Sequence, residues 1–171
     1  MKTILFLLTS CFSLLAFSQQ DVGVKNRDRK KNIALITTEG KIILRLSNST
    51  PEHRDNFIRL IKSNYLDSIL FHRVISGFMI QAGDPNSIRA TVRQPLGNGG
   101  TAYTLPAEIN TSLFHKKGAL AAARKGDTEN PARRSSSSQF YIVHGKTFTD
   151  FQLDSIEVAR LQGKKILPER R

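Results

Sequence analysis

A mainly β, single-domain fold with flanking helices is what this sequence predicts, and three observations carry that prediction. Two pairs of short apolar runs are each joined by a turn signal: residues 33–37 and 41–46 about Glu39-Gly40, and residues 69–75 and 78–82 about Ser76-Gly77. A further strand pattern, Gln139-Phe140-Tyr141-Ile142-Val143, follows a run of small residues at 119–123. Only two stretches repeat apolar residues at helical spacing, one entered at Ser49 and one at Thr149.

The first eighteen residues stand apart from this domain. Lys2 is a short positive region, residues 4–17 are apolar, and Ala16-Phe17-Ser18 puts small residues at the positions a signal peptidase reads. Residues 1–18 are therefore expected to be an export signal, cut before Gln19, with a periplasmic destination. The apolar run is short for a membrane span and is broken by Thr9, Ser10, Cys11 and Ser13. Leu8-Thr9-Ser10-Cys11 also resembles the lipobox of bacterial lipoproteins, so a membrane-anchored form through Cys11 is the alternative. A chain cut after Ser18 holds no cysteine and hence no disulfide or thiol chemistry. Residues 19–31 are polar and basic and read as a flexible tether, leaving 32–171 as the folded domain.

Within the domain, Ser49 with Glu52 forms a capping box, Pro51 fits a first helical turn, and Phe57, Leu60 and Ile61 recur at helical spacing up to about Lys62. That stripe is expected to pack on the sheet. In the second hairpin, alternation puts Phe71, Arg73 and Ile75 on one face and His72 and Val74 on the other. Phe71, Phe78 and Met79 offer apolar bulk while Arg73 and Gln81 offer donors, a combination that suggests a lined pocket with a cation at its edge. The plain alternative is a snorkelling arginine over an ordinary core. Gly97-Asn98-Gly99-Gly100 is a loop, and without a following Lys-Ser/Thr or a helix start it is not read as a phosphate cradle. Residues 124–138 are a surface loop by composition, with the serines at 135–138 taken as flexible. Phe140 and Ile142 share one strand face, Gln139 and Tyr141 the other. Thr149 with Gln152 makes a second capping box, opening a helix over about 150–162 that carries Leu153, Ile156 and Leu161.

The order and spacing of FHRVI, FMIQ and GDP between Phe71 and Pro85, followed by Ser138-Gln139-Phe140-Tyr141, resemble the two signatures of the cyclophilins, the peptidyl-prolyl cis/trans isomerases. The likeness runs over about residues 33–145. It implies a cyclophilin-like antiparallel β-barrel, with the helix at 149–162 as an insertion. The strand that supplies the far wall of the family's proline pocket, and the last barrel strands, are not visible before Arg171, so the expected barrel is incomplete at the C-terminus.

The resemblance also implies a site. Arg73 would be the catalytic donor and Gln81 would bind substrate backbone or orient Arg73. Phe78, Met79 and Tyr141 would grip the proline ring, Ala123 would form the groove floor, and Gln139 would complete the pocket. No cofactor is implied. The four histidines, His53, His72, His115 and His144, show no metal-ligand spacing, so no metal site is expected.

A net charge of +12 and a pI near 10.3 invite a nucleic-acid reading. The basic runs lie at the ends or in a loop without interleaved aromatic residues, so no nucleic-acid role is expected. The expected partners are proline-containing segments of unfolded or exported proteins, met by a monomer with no membrane span after leader removal. Two functions follow: an isomerase assisting folding of exported proteins, or a proline-binding, chaperone-like module with little turnover because a pocket wall is missing.

Overall fold

Antiparallel pairing between runs far apart in sequence sets the architecture, which the computed structural model describes for residues 23–166 and 168. The expected leader, Cys11 and the start of the tether lie outside the described residues. The first hairpin pairs β1 (Ile33–Thr37) with β2 (Gly40–Leu44), Leu35 opposite Ile42. Helix α1 (Pro51–Lys62) follows. The central sheet has the order β3 (Arg73–Ile75), β4 (Met79–Ala82), β8 (Phe140–Val143), β6 (Leu120–Ala122). A small ladder joins β5 (Thr104–Leu105) to β7 (Ser135–Ser136), and α2 (Asp150–Ala159) comes last. Among the described residues the three sheets do not close into one barrel, and no helix is long and apolar enough to cross a membrane.

Strand alternation divides the central sheet into two faces. Ala82 and Phe140 stand opposite one another and join Phe57 of α1 in the core, with Leu120, Ile33 and Leu35 packed around them. Phe57 and Phe71 both meet the Phe140 ring edge-on, with centroids 5.2 and 6.4 Å apart. Such aromatic contacts contribute roughly 0.5–1.5 kcal/mol each beyond area burial. The apolar stripe of α1 thus packs on the sheet as the periodicity predicts.

Four local expectations need correction. The alternation assigned to residues 69–75 fails before Arg73: Ser87 Oγ accepts from the Leu70 amide at 3.0 Å, which diverts the chain from ladder pairing. Phe71 consequently enters the core, on the side opposite Arg73. The Ser49–Glu52 capping box does not form. Instead Glu108, from a loop more than fifty residues away, accepts from the amides of Glu52 (3.1 Å) and His53 (2.8 Å). A carboxylate there meets both unpaired amides and the positive end of the helix, so the remote residue outcompetes the local one.

The serines at 135–138 are not a flexible loop, for Ser135, Ser137 and Ser138 are buried. Their backbone packs against the end of β4: Gly83, at φ +99°, lies so close that a Cβ on it would sit 2.1 Å from the Ser138 carbonyl oxygen. Asn56 Nδ2 donates to the Ser137 carbonyl at 2.6 Å, tying the run to α1. Finally, part of the expected tether is docked: Asp28–Lys30 forms a 3-10 turn, and Arg29 donates to Asp55 on α1 at 3.1 and 2.6 Å. Arg54 and Arg29 together hold the Asp55 carboxyl down at about 2. The second capping box forms as read, with Gln152 N donating to Thr149 Oγ1 and Thr149 N to Gln152 Oε1.

Candidate active site

The second face of the central sheet carries the candidate site. Register sets Arg73 opposite Gln81, Gln81 opposite Tyr141 and Tyr141 opposite Ala121, one lateral row across all four strands. Met79 and Val143 extend the same face two residues along. Gln139 and Ala123 lie two residues from Tyr141 and Ala121, and are joined by the bond from Ala123 N to Gln139 O at 2.9 Å. Arg73, Phe78, Met79, Gln81, Ala123, Gln139 and Tyr141 all line one cavity of about 930 Å³. His72 is not among its lining residues.

A chain of side-chain hydrogen bonds fixes how the arginine is presented. Gln139 Nε2 donates to the carbonyls of Gly97 at 2.9 Å and Gly99 at 2.7 Å, which uses both of its hydrogens. Its Oε1 must therefore face Gln81, and it accepts from Gln81 Nε2 at 2.9 Å. That leaves Gln81 Oε1 turned toward Arg73, where it accepts from Nη1 at 3.2 Å. The orientations of both amides follow from these bonds. Gln139, 6 % exposed, lines the cavity with its amide bonded to Gly97, Gly99 and Gln81.

The glycine loop that anchors this chain is itself held by a buried carboxylate. Asp84 accepts from the amides of Asn86 (2.8 Å), Gly97 (2.5 Å) and Gly99 (3.2 Å). Burial alone would raise the Asp84 carboxyl, but these three amides outweigh it and hold it below the ordinary range. Gly99 has no alternative, since a Cβ there would lie 1.9 Å from Asp84 Oδ1.

The apolar side of the cavity is built from Met79, 1 % exposed at its base, and Phe78, 51 % exposed at its rim. The Arg73 guanidinium carbon lies 6.0 Å from the Phe78 ring centroid, within reach of a cation–π contact. His144 accepts from the Gly77 amide through Nδ1 at 3.0 Å and pins the hairpin tip that carries Phe78. Tyr141 is stacked on His115, with ring centroids 5.8 Å apart and planes at 12°, and its hydroxyl shares a 2.8 Å hydrogen bond with His115 Nε2. Burial raises the Tyr141 phenol above its ordinary value, against the opposing charge of Arg124. His115, Ala121 and Arg124 were not singled out from sequence. Ala121 was readable from strand alternation once Ala123 was chosen, whereas His115 needed the loop at 110–118 to fold back on β8.

A family model described as cyclophilin type peptidyl-prolyl cis-trans isomerase/CLD matches residues 33–159. The chain belongs to the cyclophilin family. It is 37% identical over 111 residues to a peptidyl-prolyl cis-trans isomerase of Synechococcus elongatus, covering 64% of this chain and 66% of that protein. A Schizosaccharomyces pombe peptidyl-prolyl cis-trans isomerase is 36% identical over 121 residues, 68% of this chain and 69% of its own. In three dimensions the chain is similar to a cyclophilin type peptidyl-prolyl cis-trans isomerase of Cryptosporidium parvum, with a TM-score of 0.58 and 29% identity over 68% of each chain. This cyclophilin thus spans about two thirds of the length of these relatives. The matched segment contains the whole row from Arg73 to Ala121 and the glycine loop beneath it.

Proposed function

We propose that this cyclophilin catalyses cis/trans isomerisation of the bond preceding proline, with Arg73 stabilising the twisted transition state. The barrier is amide resonance, about 18–20 kcal/mol, and no bond has to break. As the amide twists, the proline nitrogen loses conjugation and gains a lone pair, so a donor aimed at it favours the transition state over both planar states. Arg73 suits that role because its forked guanidinium is always charged and can hold the substrate carbonyl and the nitrogen together. Gln81 orients Arg73. Phe78, Met79 and Tyr141 grip the proline ring, Ala123 leaves the floor open, and the apolar surroundings strengthen the arginine's hydrogen bonds.

The observation that carries this reading is the placement of Arg73, tethered by Gln81, over the cavity shared with Phe78, Met79 and Tyr141. Replacing Arg73 with Ala is expected to cut kcat/KM by at least about a hundredfold, roughly 3 kcal/mol. A protease-coupled proline peptide assay measures it, and an unchanged rate sinks the role. The rival, a proline-binding module with little turnover, is favoured by the breadth of the cavity, about 930 Å³ and continuous with core residues such as Leu44 and Phe57. Peptide binding and isomerisation measured on one preparation separate the two: binding without acceleration selects the module.

The same reading makes the chain an exported assistant of protein folding, acting on proline-containing segments of exported proteins. Residues 1–18 support it, with Lys2 before the apolar run and Ala16-Phe17-Ser18 at its end. The mass of the mature protein tests it, a first residue of Gln19 meaning cleavage and a lipid-modified Cys11 meaning an anchor.

A further inference from the structure

The groove carries a charge bias that the isomerisation chemistry does not use. Phe78, His115 and Tyr141 form a wall between the main cavity and a second one of about 390 Å³, which is also lined by Lys146 and Phe148. Among the described residues lining the two cavities, the only carboxylate is Glu108. That carboxylate is committed to the α1 amides and to His53 Nδ1 at 2.6 Å. Burial would raise its pKa, but the His53 contacts and the Glu52 amide outweigh burial, and it stays ionised and occupied.

The cations are distributed differently. Arg73 is turned to Gln81, and Arg54 is spent on Asp55 and Asn48. Six others line the cavities: Arg45, Lys116, Arg124, Lys125, Arg133 and Lys146. Asp127 and Glu129, which do not line them, pair with all three on the 124–133 loop, Asp127 with Arg124 at 2.5 Å and Arg133 at 3.1 Å and Glu129 with Lys125 at 3.6 Å, two carboxylates against three cations. Among the described residues Arg45, Lys116 and Lys146 have no carboxylate within ion-pairing distance, and Lys116 and Lys146 are exposed. A peptide whose proline rests against Phe78 and Tyr141 therefore meets Lys116 in the larger cavity and Lys146 in the smaller.

We infer that the groove selects proline segments flanked by aspartate or glutamate, an inference that rests on the isomerase reading of the same site. A cleft lined by one sign of charge concentrates ligands of the other, and exposed pairs add modest increments that salt removes. The substrate class is thus acidic peptide, held at both flanks while the neutral proline ring occupies the apolar wall.

The test is one Ala-Pro core flanked on both sides by Glu, Gln or Lys, with kcat/KM read by protease coupling and binding read by fluorescence anisotropy. The expected order is Glu, then Gln, then Lys, spanning about tenfold at low ionic strength and contracting to within about twofold near 0.5 M salt. In the variant K116E/K146E, both changes being on exposed side chains, the ratio of Glu to Lys peptide should fall below one. Equal values across the series at low salt, or an unchanged ratio in the variant, overturn the inference even if every peptide is turned over. If no peptide is accelerated but the Glu peptide binds most tightly, the charge selection stands and the isomerase reading falls. A single-stranded oligonucleotide that displaces the Glu peptide at lower concentration than free Glu peptide itself identifies a general polyanion groove, and overturns the assignment to peptide.

Discussion

The groove and the last helix are built by opposite strategies. Around the groove the decisive contacts join residues far apart in sequence: Gln81 to Gln139 across 58 positions, Glu108 to His53 across 55, and Asn56 to Ser137 across 81. Among the described residues, the hydrogen bonds of helix α2 join near neighbours. Thr149 and Gln152 cap it three residues apart, and Glu157 accepts from Lys165 at 2.7 Å and from the Ile166 amide at 2.8 Å, eight and nine residues on. The difference teaches where damage travels. A local element fails alone, whereas a groove assembled from distant segments transmits a lost contact to every segment it joins.

The sharpest way to break that comparison is Gln139→Leu. It removes the donor to two glycine carbonyls and the acceptor for Gln81, leaving three part-buried groups unpaired at a cost of about 2–4 kcal/mol. Without its partner Gln81 can rotate, and Arg73 loses its fixed presentation. A fall of about tenfold or more in kcat, with KM little changed, is expected. If turnover of folded protein is undiminished while the melting temperature drops, the bond chain holds the loop and does not set the arginine.

A smaller effect is expected at Glu108→Gln, which removes the charge over the α1 N-terminus and turns one acceptor into a donor facing other donors. About 1–2 kcal/mol of stability should be lost at neutral pH. The pH profile identifies the cause. The folded-state pKa of Glu108 lies below its ordinary carboxylate value, so its contribution is full above that value and disappears as pH falls through the lower one. The gap between parent and variant should therefore close on acidification, and a gap that stays constant with pH would mean that packing, not charge, was lost.

What could be read from the sequence follows the same division. The α2 capping box was legible because, among the described residues, no competitor reaches Thr149. The identical pattern at Ser49 was not decisive, because Glu108 offers two oxygens and a full charge to the same amides. Strand alternation put Phe140 and Tyr141 on opposite faces correctly, since β8 is paired on both sides. It misplaced Phe71, where pairing had not yet begun. Arg73 and its apolar neighbours were legible as a motif, but their common cavity required three strands in register. The serines at 135–138 misled because composition reports polarity and not the close backbone approach of Gly83.

The smallest expected effect belongs to Thr149→Ala, and it probes the local end of the comparison. The change removes the oxygen that accepts from Gln152 N at 3.3 Å, worth about 1 kcal/mol for an N-cap, and leaves the Thr149 amide bonded to Gln152 Oε1. Hydrogen exchange should accelerate in the first turn of α2, while amides of β4 and β8 keep their protection and proline isomerisation continues at the parent rate. The groove-lining residues belong to segments that precede Thr149, so no bond in the chain from Gly97 to Arg73 passes through the helix. Loss of protection in β8, or a fall in kcat beyond about twofold, would mean that α2 buttresses the groove after all, and that the separation of the molecule into local and long-range halves is drawn in the wrong place.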